Sequence, residues 1–324
     1  MPHLRLLATG GTIASRHEAG GHRPTASGAD VLATAAVAPG CRVDVEDVTA
    51  VGSFAWQWSD LLALARRVEA ALADGVDGVV VTHGTDAMEE VAFLISLLHD
   101  DSRPVVFTGA QRPFDHPAAD GPANLADALL VASSPTARDR GVLLAFDGQV
   151  HPARGTTKVD TLSTRGFDSP GRGPVLRVAG GRVLPLSPSG RPAALPVVSS
   201  RTELPRVDVV PVYVGADAAQ LRGAVDAGAR GLVLAAMGAG NATPAILDAV
   251  RECGLPVLVC SRVPSGPVLP IYGGGGGMDL ANAGALFADD LSPWQGRMLL
   301  SAALSVSPED PLRQVRQWLD SQTC

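Results

Sequence analysis

Short apolar runs, many of them β-branched, alternate along this chain with longer segments whose apolar residues recur at helical spacing. Runs at His3 to Thr9, Gly78 to His83, Pro104 to Gly109 and Gly141 to Phe146 predict strands. Between them, Ser59 to Ala73, Asp86 to His99 and Gly121 to Ala132 predict helices; in the second, Met88, Val91, Phe93, Leu94, Leu97 and Leu98 make one apolar face. Such alternation predicts a parallel sheet covered by helices. Between about Gly180 and Pro205 the pattern lapses into Pro, Ser, Gly and Arg, which is linker chemistry. It then resumes with strands at Val207 to Val214, Gly231 to Ala236 and Pro256 to Cys260, separated by helices at Asp217 to Ala227 and Pro244 to Cys253. A last helix is expected to open on Ser307 as N-cap, with Pro308 in the first helical position. The chain therefore reads as α/β with two domains: residues 1–185, larger and mainly a parallel sheet flanked by helices; a linker at 186–205; and a smaller parallel-sheet α/β domain at 206–324.

The 324 residues, 46% hydrophobic and 18% charged with a net charge of -7, describe a soluble globular protein. The arginines are scattered and form no basic stripe, so neither nucleic acid nor a membrane surface is expected as a partner. No charge-free apolar run approaches the roughly 18 residues that span a bilayer. Met1 to Arg5 runs straight into the first strand without secretory features, which points to the cytoplasm. Cys41, Cys253, Cys260 and Cys324 lie far apart without a C-x-x-C pair, so free thiols are expected, with no metal site and no cofactor.

One residue stands out chemically. Of 26 basic side chains only Lys158 is a lysine. A guanidinium stays protonated, whereas a desolvated lysine amine can act as a base. Two threonine-rich turns follow predicted strands. Thr9-Gly10-Gly11-Thr12 puts two hydroxyls at the carboxyl end of the first, the edge where open α/β sheets bind ligands. Thr82-His83-Gly84-Thr85-Asp86 repeats the arrangement and places Thr85 and Asp86 at the mouth of a helix, where free N–H groups favour an anion or a developing oxyanion.

Together with TGAQRP at Thr108 to Pro113, ADGPANL at Ala119 to Leu125, ARGTTK ending at Lys158 and SRVPSG at Ser261 to Gly266, these motifs resemble the bacterial-type L-asparaginase family over most of the chain. The resemblance implies two-step amide hydrolysis through a threonine acyl-enzyme, releasing aspartate and ammonia. It implies Thr12 as nucleophile and Thr85, Asp86 and Lys158 as a second catalytic cluster, Lys158 serving as base for Thr85. Asp86 would hold either Lys158 or the substrate α-ammonium. The resemblance further implies Ser53 at the substrate α-carboxylate, Gly84 and Ala110 along the pocket, and Asn241 supplied from a neighbouring subunit. It implies an amino-acid substrate and a homo-oligomer, a dimer of dimers with sites near the subunit interface.

The chain departs from the family pattern at three places. The loop tyrosine is missing, and an ungapped reading puts His22 there, with Arg23 adjacent. His22 is expected to assist Thr12. Phe54 replaces a glutamine that holds the α-ammonium, and Gly273 to Gly277 stands where a partner glutamate is usual. Both changes predict weak affinity for asparagine or a different amide, such as glutamine, D-asparagine or a bulkier one. An impaired amino-acid-binding or regulatory protein of the same fold is the alternative from another class. Phe54, Trp56 and Trp58 recur every second residue, as on one face of an extended segment, and burial of that face is the favoured expectation over a pocket wall. The five glycines predict a mobile connector or loop.

Overall fold

The computed structural model describes residues 1–196 and 203–322. It divides into two compact units, Met1–Ala194 and Leu195–Cys324. The first is built on β1 (His3–Gly10), a hairpin of β2 (Ser15–Glu18) and β3 (Gly21–Pro24), β4 (Arg42–Val51), β5 (Gly78–Thr82), β6 (Val105–Thr108), β7 (Val142–Phe146), β8 (Gln149–Pro152), β9 (Thr157–Lys158), β10 (Phe167–Asp168), β11 (Leu176–Ala179) and β12 (Arg182–Pro185). Its helices are α1 (Gly28–Ala33), α2 (Trp58–Ala73), α3 (Met88–Leu98) and α4 (Gly121–Ala132). Eight strands form one sheet in the order β12-β11-β8-β7-β6-β5-β1-β4, parallel from β7 through β4 and antiparallel beyond β7.

Strand residues are buried on both sides because helices cover both faces. Leu4, Leu6, Val80, Val106 and Leu143 pack with Leu125, Ala128 and Leu129 of α4 in one cluster. Alternation along the strands turns Leu7, Val79, Val81 and Phe107 to the other face, where α2 and α3 pack. Each fully buried leucine contributes about 1.5–3 kcal/mol of transfer free energy, so α4 is held by its apolar stripe.

The second unit carries a parallel sheet, β13 (Val207–Pro211), β14 (Gly231–Ala236), β15 (Val257–Ser261) and β16 (Leu286–Phe287), in that order. Helices α5 (Ala219–Asp226), α6 (Pro244–Glu252) and α7 (Gly277–Asn282) share one core with it. Leu300 and Leu304 of α8 (Pro293–Val306) lie against Gly231 on the sheet.

The last helix does not open where expected. Ser307 ends α8 as its C-cap, and α9 (Pro311–Asp320) begins at Pro311, with Asp310 accepting from the Arg313 N–H. The Ser-Pro and Asp-Pro pairs give the same N-terminal signal, and Asp310 supplies the cap. Much of the predicted linker is also fastened: Leu186 N donates to Val175 O at 2.9 Å, Arg140 donates to Ser187 O, and Arg191 pairs with Asp100. Residues 197–202 of that linker lie outside the described residues, as does Cys324. Cys41, Cys253 and Cys260 are free thiols, the last fully buried. Among the described residues no helix is long and apolar enough to cross a membrane.

Candidate active site

Three turns at the carboxyl ends of parallel strands converge on Gly84. Gly11, after β1, has φ 79°, and a Cβ there would stand 2.4 Å from Gly84 Cα. Only glycine permits both that backbone and that approach. A Cβ on Gly84 would in turn stand 2.6 Å from Ser53 Oγ, in the turn after β4. Ser53 is buried, and its hydroxyl accepts from Ala87 N at 3.3 Å, ahead of α3. Thr12 opens a short 3-10 turn anchored by buried Ile13 and Ala14; it is half-buried itself. The Thr9 hydroxyl is turned into the fold instead: buried, it donates to Thr82 O at 2.8 Å and ties β1 to β5.

Lys158 reaches the turn after β5. Its Nζ donates to Thr85 Oγ1 at 2.8 Å and to Asp86 Oδ1 at 2.7 Å. Of the two roles open to Asp86, the structure therefore shows the pairing with Lys158. The Lys158 backbone N–H donates to Glu89 Oε2 at 2.6 Å. Glu89 sits in the first turn of α3, buried, and that burial raises its carboxyl pKa; hydrogen bonds from Thr157 and the Lys158 amide pull the other way. Beneath them, Thr156 donates to Pro152 O, its Oγ1 lies 2.9 Å from Ser169 Oγ, and Ser169 Oγ lies 3.1 Å from His151 Nδ1. Burial lowers the His151 pKa to about 4. Glu89 escaped sequence reasoning, because Glu89 and Glu90 stand together in the first turn of α3 and spacing alone does not show which of them turns inward.

The Ser53 turn and the Gly84 turn are braced by two rings. His83 is fully buried, its Nδ1–H donating to Gly84 O at 2.7 Å, and burial lowers its pKa to about 4. The Trp56 ring lies 4.5 Å from it, centroid to centroid, and Trp56 N donates to Ser53 O. Neither residue was singled out as a site residue from sequence. Phe54, Trp56 and Trp58 do not form a face of an extended segment. Ser53–Ala55 is a 3-10 turn and Trp58 begins α2, so Phe54 is thrown outward, 83% exposed, while Trp56 turns in.

Ala110 is buried just past β6. Its loop is held by Asp120, which accepts from Gln111 N at 3.0 Å and Arg112 N at 2.9 Å, and by Asn124 Nδ2, which donates to Gly109 O. His22 lies exposed on β3, and its ring neighbour is His17 of β2, 5.3 Å away. In the second unit, Asn241 Oδ1 accepts from Gly277 N at 3.0 Å and Asp279 Oδ2 accepts from Gly275 N at 2.6 Å. These two bonds fasten the end of the glycine run to the turn that leads into α7. Among the described residues no three His, Cys, Asp or Glu side chains are grouped to hold a metal ion.

The parallel strand ends of this α/β fold gather a threonine turn and a threonine–aspartate–lysine cluster at the edge where open α/β sheets bind ligands. Residues 3–188 match the model of the N-terminal asparaginase domain and residues 206–319 that of the glutaminase/asparaginase C-terminal domain. A probable L-asparaginase of Deinococcus radiodurans is 37% identical, over 97% of each chain. L-asparaginase 2 of Escherichia coli is 33% identical over 98% of this chain and 92% of its own. The crystal structure of a probable cytoplasmic L-asparaginase from Campylobacter jejuni superposes with a TM-score of 0.89 at 30% identity, covering 99% of this chain and 100% of that one. The chain belongs to the asparaginase family and is an amidohydrolase.

Proposed function

We propose that the protein hydrolyses the side-chain amide of L-asparagine to L-aspartate and ammonia through a threonine acyl-enzyme. The observation that carries this reading is the Lys158–Thr85–Asp86 cluster at the strand edge that also bears the Thr12 turn. Thr12 Oγ attacks the amide carbon, its proton passes to a base and from that base to the amide nitrogen, the C–N bond breaks and ammonia leaves. Water then attacks the ester and frees aspartate and the threonine hydroxyl. Lys158, when neutral, takes the Thr85 proton along the same short N···O line; Asp86 holds the resulting ammonium. Ser53 and Gly84 receive the α-carboxylate end of the substrate, and Ala110 leaves space beside the amide. His22 assists Thr12 as proton acceptor.

A second reading, hydrolysis of a bulkier amide, is favoured by Phe54, whose phenyl ring stands exposed one residue from Ser53. The proposed assembly is a dimer of dimers in which Asn241 serves a neighbouring subunit. A cytoplasmic location is supported by the name of the Campylobacter jejuni structure, whereas a Haemophilus influenzae relative is named periplasmic. The test is steady-state ammonia release with L-asparagine, L-glutamine and D-asparagine, each to tens of millimolar, alongside Thr12→Val. Saturable release that Thr12→Val abolishes, with aspartate binding kept, supports the reading. No release with any of them overturns it in favour of a bulkier amide or a binding protein.

A further inference from the structure

The β2–β3 hairpin that leads out of the Thr12 turn carries two histidines directly opposite each other, His17 paired with His22 in the strand register. Its turn has two residues, Ala19 and Gly20, so Glu18–Gly21 closes the loop. The next pair inward is then the non-hydrogen-bonded kind, in which facing side chains come closest. Both histidines are exposed, and their ring centroids are 5.3 Å apart. A metal–nitrogen bond of about 2.1 Å puts each imidazole centroid about 3.2 Å from the ion, so two rings at a tetrahedral angle stand about 5.2 Å apart. The observed separation, with the rings edge to face at 79°, matches the spacing of two imidazoles on one ion.

The surroundings suit a cation. Asp115 takes the His17 backbone N–H on its Oδ2 at 2.8 Å, bringing a carboxylate to the edge of β2. The flanking Arg16–Arg23 pair projects from the opposite face by strand alternation, and Arg16 is engaged there by Phe114, 4.9 Å from its ring centroid, and by Asp30. We propose that His17 and His22 form a two-imidazole site for a divalent transition-metal ion of the zinc class, with water completing the coordination. Imidazole nitrogen suits zinc, copper and nickel; magnesium and calcium require oxygen ligands. Such an ion clips β2 to β3. The clip bears on the nucleophile turn, because Thr25 N and Ala26 N, just beyond β3, both donate to Ala14 O at 3.0 Å. The ion thereby lowers turnover, by restraining the hairpin and by occupying the His22 imidazole, a consequence that rests on the reading of Thr12 as nucleophile and His22 as its proton acceptor.

Calorimetric titration of Zn2+ into the full chain tests the site, with Mg2+ as control. Half-buried Cys41 and Cys253 also offer zinc ligands, so the readout is the difference between proteins. His17→Ala and His22→Ala are each expected to lose one equivalent of Zn2+, and Mg2+ is expected not to compete. Unchanged stoichiometry and affinity in both variants, or no Zn2+ uptake by the parent, overturns the proposal. In parallel, Zn2+ is expected to depress ammonia release by the parent protein and to be reversed by a chelator, with His17→Ala resistant. Equal depression in His17→Ala overturns the coupling to turnover. Absence of turnover before zinc is added overturns the asparaginase reading alone and leaves the binding result standing.

Discussion

Lys158 Nζ stands 2.8 Å from the Thr85 hydroxyl oxygen and 2.7 Å from the Asp86 carboxylate, with its own backbone amide pinned by Glu89. Both ends of the lysine are thus anchored to the turn and first helical turn that follow β5. Replacing Lys158 with arginine keeps the charge but supplies a group that does not give up its proton. Lys158→Arg and Lys158→Met are both expected to lower kcat by about 10²–10⁴, the range general acid–base groups contribute, with aspartate binding retained. Ammonia release and calorimetric aspartate binding check this.

Gly11→Ala is expected to be among the most damaging single-methyl additions in the first unit. The new Cβ meets backbone atoms of Gly84 at 2.4 and 2.5 Å, at a φ that L-residues avoid, and neither side can rotate away. Overpacking and backbone strain together place the cost at about 2–5 kcal/mol. A denaturant midpoint shift should accompany loss of turnover; unchanged stability would contradict the close approach.

Acid should destabilise the protein through His83 and His151. Both are buried and have pKa values of about 4 in the fold, below the ordinary histidine value. Between about pH 6.5 and 4 the unfolded chain binds more protons, so stability is whole above about pH 6.5. It falls by about 1.4 kcal/mol per pH unit per histidine as pH drops toward 4. Urea midpoints measured across this range should fall less steeply in His151→Gln, which keeps a hydrogen-bonding side chain but does not titrate.

Phe54→Gln is expected to leave the melting temperature unchanged, because the phenyl ring it removes is 83% exposed. If the family glutamine contact to the α-ammonium is restored, KM for asparagine should fall by about tenfold or more, the worth of one charge-assisted hydrogen bond. Unchanged KM would show that Phe54 has no part in substrate binding.

The central strands β5, β6, β7 and β14 were legible because both faces are buried, which writes a nearly continuous apolar run, and β1 because its Leu4, Leu6, Leu7 and Ala8 dominate around Arg5. Edge strand β4 was missed. It reads Arg-Val-Asp-Val-Glu-Asp-Val, half-buried, with Val43 and Val45 against the core and Asp44 and Glu46 paired to His3 and to Arg5 and Arg67. Its charges hide a strand whose pairing to β1 only the sheet supplies. The short antiparallel strands beyond β7 were missed for a similar reason: four residues carry too little periodicity.

Sequence by itself determined the βα alternation, the two glycine–threonine turns, the solitary lysine and the family they belong to. These are local properties of composition and spacing. The tertiary structure alone decided which hydroxyls are already engaged and which carboxylate meets the lysine. Thr9 and Thr12 look alike in the motif, yet Thr9 is bonded to β5 while Thr12 lies in the turn beyond it. Asp86 and Glu89 are three residues apart, but one takes the Lys158 side chain and the other its backbone. Those pairings join residues about 70 positions apart, and chain spacing carries no record of them until the sheet closes the distance.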